Sequence, residues 1–95
     1  MYGETVDFQD IREIKLIQKL PKITAKLNGT AMEGIYKGKF RTAGGTVKLL
    51  INNASNKPYI KIIKKDDKPI FFASKKDDNG RIYKQLKEKM RWEVR

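Results

Sequence analysis

The chain has 95 residues, 39% hydrophobic and 35% charged, with a formal net charge of +11, enough for one domain with one small core. It contains no cysteine and no histidine. That excludes disulfides, thiolate zinc sites and the usual transition-metal ligands, along with Ser-His-Asp and Cys-His catalysis. No apolar run approaches the roughly 20 residues needed to span a bilayer, and the first seven residues lack the basic-then-apolar order of a signal peptide.

Residues 2–8 alternate, with Tyr2, Val6 and Phe8 on one side, and read as a short strand. Asp10 and Ile11 then form a brief helical turn. Residues 12–20 fit two templates. Ile11, Ile14, Ile17 and Leu20 recur every three residues as on one side of a helix, while Ile14 and Leu16 alternate with charged neighbours as in a strand. Pro21 stops the segment. Residues 22–28 resume a strand-like pattern, and Asn28-Gly29 is a strong turn signal.

Strands are then expected over residues 31–35, 36–42 and 46–52. Ala43-Gly44-Gly45 forms the tight connection between the last two, since glycine accepts the positive φ that hairpin turns need. Val47, Leu49 and Ile51 share one face. Residues 52–58 are a polar loop of turn formers. Residues 59–64 form an isoleucine-rich strand, Asp66-Asp67-Lys68 turns the chain, and residues 69–74 form another strand with its proline at the start.

Short strands at intervals of roughly 8–12 residues point to an antiparallel sandwich or barrel. The ending differs. Asp77-Asp78-Asn79 offers caps for one amphipathic helix over about residues 78–91. Ile82, Tyr83, Leu86 and Met90 recur on one side of it and are expected to pack on the open end of the barrel.

Charge is unevenly placed. Residues 1–33 carry five Lys/Arg and five Asp/Glu, while residues 34–95 carry seventeen and six. The excess attracts anionic partners: acidic lipid, an acidic protein or nucleic acid. Its focus is Lys37-x-Lys39-x-Arg41, where alternate residues of one strand aim their cations the same way. Lys37, Lys39, Arg41, Lys48 and Lys61 are the candidate anion- or partner-binding residues. The competing reading is a solvated, lysine-rich surface.

Other constellations reduce to structure. Gly34, Gly38 and Lys39 miss the spacing of a phosphate-binding loop. Asp66-Asp67 and Asp77-Asp78 are adjacent pairs whose carboxylates diverge. Tyr36 and Phe40 point away from the lysine stripe, so stacking of bases beside it is disfavoured and nucleic acid is only the alternative partner. No cofactor, metal or catalytic set is expected.

Read in order, the motifs carry a resemblance. Y-G-x-x-x-x-F-x-D-I, a segment ending in L-P, N-G-T, Y-x-G-K-F, G-x-V-K-L, K-P-Y-I-x-I and I-Y-K-Q-L together resemble the bacterial pleckstrin-homology (PH-like) domain family, from Tyr2 to about Lys89. The resemblance implies a mainly β fold: a seven-stranded, antiparallel, partly open barrel with one C-terminal helix. It implies that residues 13–20 are largely strand. It also implies a non-catalytic binding module of unestablished molecular function. Members often follow membrane-spanning helices, which suits a strand that begins so soon after Met1. Residues 1–95 then form a single domain excised from a longer protein, membrane-associated through an upstream segment or else cytoplasmic, contacting anionic lipid or a protein partner, with strand edges open to self-association.

Overall fold

The computed structural model describes residues 10–65 and 67–93. Among these residues are six strands: β1 (Ile11–Ile17), β2 (Ile23–Met32), β3 (Ile35–Thr42), β4 (Gly45–Ile51), β5 (Tyr59–Lys64) and β6 (Ile70–Ala73). One helix follows, α1 (Asn79–Glu93). The strands form a single open sheet in the order β1-β5-β6-β4-β3-β2. All pairings are antiparallel except β4 with β6, which run parallel because β5 lies on the far side of β6. The mainly β architecture with a C-terminal helix is as expected. The expected strand over residues 2–8 and the aspartate at 66 lie outside the described residues.

The ambiguous segment is strand as far as Ile17, and residues 18–20 belong to the link that follows. Ile14 and Leu16 pair with Ile62 and Ile60 of β5. The helical spacing of Ile11 and Ile14 places both in the core all the same, because β1 shifts register between Ile11 and Glu13. Such an irregularity changes which residues face inward.

A correction falls at Asn28-Gly29. It is not a turn: β2 continues through it, and Gly29 pairs with Gly38 of β3. Both glycines have positive φ, 115° and 128°. A Cβ built on Gly29 would lie 2.8 Å from the Gly38 Cα, inside any real contact distance. Asn-Gly here marks a close crossing of two backbones. The turn comes five residues later at Glu33-Gly34, where φ is 48° and 80°, the two positive values that a two-residue hairpin turn requires. The next connection is as expected. Thr42 Oγ1 donates to the Gly45 carbonyl at 2.8 Å and accepts from the Gly44 N–H at 3.2 Å, which fixes the β3–β4 turn.

Each face of the sheet carries its own cluster. On one lie Phe40, Val47, Leu49, Ile51, Tyr59, Phe71 and Ala73, with Ile17, Leu20, Ile23 and Tyr36 against them. Residues 18–22 join the two edge strands and can span only about 21 Å, whereas a flat six-stranded sheet would hold its edges about 24 Å apart. Ile17 and Ile23, at the ends of that link, pack on the same cluster. The sheet therefore curls over it. On the other face Ile11, Ile14, Ile60, Ile62 and Ile70 meet Ile82, Tyr83 and Leu86 of α1. The helix covers β1 and β5 on this outer face, not the open end of a barrel as the sequence reading had it. Met90 and Trp92 lie beyond the described side chains.

The helix start is the most ordered polar region. Asp78 Oδ1 accepts from Gly80 N at 2.9 Å and Arg81 N at 3.3 Å, an N-cap that satisfies otherwise unpaired donors. Asn79 is fully buried. Its Oδ1 accepts from the Ser74 N–H at 2.9 Å and the Ser74 hydroxyl at 2.6 Å. Its Nδ2 donates to the carbonyls of Asn56 at 2.7 Å and Pro58 at 2.9 Å. Asn56 in turn donates to the carbonyls of Ser74 and Asp77 at 3.1 and 2.9 Å. One amide thus ties the loop before β5, the end of β6 and the start of α1 together.

Candidate anion-binding face

The strand alternation that buries Phe40 turns its neighbours outward. Lys37, Lys39 and Arg41 stand opposite Leu50, Lys48 and Thr46 of β4, and opposite Thr30, Asn28 and Ala25 of β2. Residues paired across antiparallel strands share a face, so Lys37, Lys39, Arg41 and Lys48 are brought together. Lys39 and Arg41 are exposed, while Lys37 and Lys48 are half-buried. Lys39 directly faces Lys48 across the β3–β4 pair. Between Ile23 and Ile51 the chain holds five cations and one acid, Glu33. A depression of about 200 Å³ adjoins the stripe, lined by Asn28, Gly29, Gly38, Lys39, Lys48, Leu49 and Leu50. Its floor is where the two crossing glycines lack side chains.

Lys61 is separated from this group. It pairs with Phe71 and Lys15, so it projects from the opposite face, where its Nζ sits 5.6 Å from the Phe71 ring centroid. That contact holds the cation against an aromatic face. Four of the five candidate residues form one surface and the fifth does not.

The four aromatic residues interleaved with the lysines are packed inside the fold. Phe40, Tyr59 and Phe71 are buried, and Tyr36 packs edge-on to Phe40 at 6.1 Å. The Tyr59 hydroxyl donates to the Ala54 carbonyl. None of these can offer a flat face to a base beside the lysines. Among the carboxylates, Asp67 accepts from the Lys68 N–H at 2.7 Å and meets Lys64 Nζ at 3.4 Å. The backbone bond from Lys68 is the main effect holding its carboxyl below the usual value; desolvation, next in size, opposes it, and the Lys64 side-chain bond and the two lysine charges add smaller lowering effects. It serves a turn. Among the described residues no group of three or more His, Cys, Asp or Glu could hold a metal ion, and no helix is long and apolar enough to cross a membrane.

Two features escape a reading of the sequence. The Asn79 network has no local signature, because its partners lie 5 to 23 residues away. The second is the apolar end of the β2–β3 hairpin, where Met32 and Ile35 pair and are 63% and 38% exposed. Misplacing the turn at Asn28-Gly29 hides it. Compared with known proteins, the chain matches no family model, no curated protein and no solved structure.

Proposed function

We propose that this chain is a non-catalytic binding module of the bacterial PH-like type, within a membrane-associated protein, and that its β3–β4 face contacts an anionic surface. The observation that carries the reading is the alignment of Lys37, Lys39 and Arg41 along one face of β3, with Lys48 of β4 beside Lys39. The absence of histidine and cysteine from the sequence supports a binding role over a chemical one.

Each cation near an anionic membrane contributes on the order of 1 kcal/mol, so the three on β3 acting together supply roughly 3 kcal/mol, or about a hundredfold in partitioning. The test is co-sedimentation with phosphatidylglycerol-containing and phosphatidylcholine vesicles. Binding to the anionic vesicles alone is expected, weakening steeply with salt. Reversing two charges together, Lys39→Glu with Arg41→Glu, should lower it at least about thirtyfold on the same per-charge scale. Equal, negligible binding to both vesicle types at low salt would remove the proposal.

A further inference from the structure

The described residues include four exposed large hydrophobics: Leu16, Leu27, Met32 and Ile35. Three of these belong to the β2–β3 hairpin. Ile35 begins the same outward-facing series as Lys37, Lys39 and Arg41, and Met32 is its cross-strand partner. The outer face of the hairpin therefore runs from an apolar end into a cationic stripe. From this we infer that the hairpin end, Met32 and Ile35, inserts into the interfacial layer of an anionic bilayer while the lysines behind it hold the lipid phosphates. The inference rests on the proposed function and adds the mode and orientation of contact.

The dimensions fit. Two residues along a strand advance about 7 Å, so Lys37 lies about 7 Å and Lys39 about 14 Å behind Ile35. Apolar side chains of interfacial segments reach roughly 5–10 Å into the boundary between headgroups and acyl chains. With Ile35 and Met32 at that depth, Lys37 reaches the phosphate level and Lys39 lies just above it.

The end is also braced. The Gly34 carbonyl accepts from Ala54 N–H at 2.8 Å, and Ala54 is held in turn by the Tyr59 hydroxyl. A hairpin fixed before contact loses little conformational freedom on binding.

Charge complementarity selects the occupant. Strand order puts the Glu33-Gly34 turn at the same end of the sheet as the loops after β4 and β6, since Tyr36 pairs with Ile51 and Ile51 with Ala73. Those loops carry exposed Lys57, Lys75 and Lys76, against Asp77 and the helix cap Asp78. A surface that is anionic outside and apolar beneath matches an apolar end backed by the Lys37-Lys39-Arg41 stripe. Glu33, at the turn itself, opposes such contact.

Because the chain has no cysteine, one introduced thiol reports one position. Met32→Cys carrying an environment-sensitive dye should brighten and shift to the blue on phosphatidylglycerol vesicles. Nitroxide placed high in the acyl chains should quench it. The same dye on Ala43→Cys, in the β3–β4 turn at the other end, should keep its aqueous spectrum. Met32→Ser with Ile35→Ser should lower vesicle partitioning about tenfold, the loss of roughly two partly buried side chains, with an unchanged circular-dichroism spectrum. Glu33→Gln should raise partitioning.

If the unmodified chain binds anionic vesicles but the dye at position 32 stays aqueous, insertion is wrong and surface contact by the basic face stands. If the chain binds no vesicle, both fall. If the dye at position 32 shifts with protein concentration and no lipid, the hairpin end joins copies of the chain, and insertion is overturned.

Discussion

Asn79 carries more of the fold than any exposed charge. Its side chain closes a junction between three segments that share no regular pairing, with every polar atom partnered. Replacing it with leucine keeps the volume but strands the Ser74 N–H and two loop carbonyls. A buried unpaired polar group costs roughly 1–3 kcal/mol, so Asn79→Leu should lose about 3 kcal/mol or more in urea unfolding. Asn79→Asp keeps the shape but turns an acceptor-only carboxylate toward the carbonyls of Asn56 and Pro58. Its stability should partly recover as pH falls and the carboxyl gains a proton to donate, a response the leucine variant lacks. Nothing in D-D-N-G separates this residue from a third cap candidate, because burial is decided by a loop 23 residues upstream.

At the level of elements, legibility follows the range over which each signal acts. The strands β3, β4 and β5 are readable because apolar alternation and flanking turn residues lie within the segments themselves. The helix is readable for the same reason, and its cap acts locally. Asp78→Ala should cost about 1 kcal/mol in thermal or urea unfolding, and Asp78→Asn much less, since either side chain can accept from Gly80 N–H. The destination of the helix is not readable: Ile82 and Leu86 show that one side is buried but not which face of the sheet receives it. Asn28-Gly29 misleads for a related reason. Positive φ serves a turn and a backbone crossing equally, and only Gly38, nine residues on, distinguishes them. The basic face is legible as a stripe on β3. Lys48 joins it and Lys61 leaves it only once the register of β4, β5 and β6 is known.

For the whole molecule, charge sets the response to solution conditions. With no histidine, the chain lacks the side chain whose ordinary pKa, about 6.5, titrates near neutrality. Vesicle binding and melting temperature should both be nearly flat from about pH 5.5 to 7.5. Stability should fall only on the acid side. Asp67 is lowered by its bond from Lys68 N–H, so its contribution is complete above the ordinary aspartate value near 4 and lost below it. As it and the other carboxylates gain protons, the repulsion within an excess of cations is left unopposed. A melting curve that moved between pH 6 and 7 would contradict this. The sheet order carries one more consequence. The last described strand to be made, β6, is central, and among the described strands its four residues supply all the pairing between the β2–β3–β4 meander and the β1–β5 pair. During synthesis two half-sheets wait with Val47, Leu49 and Ile51 on one open edge and Ile60 and Ile62 on the other. Only when Ile70 to Ala73 clears the ribosome can the halves close into one cooperative unit. A ribosome stalled before that point would present two sticky edges to the cell, which makes the interval before β6 emerges the time at which this domain most needs a chaperone.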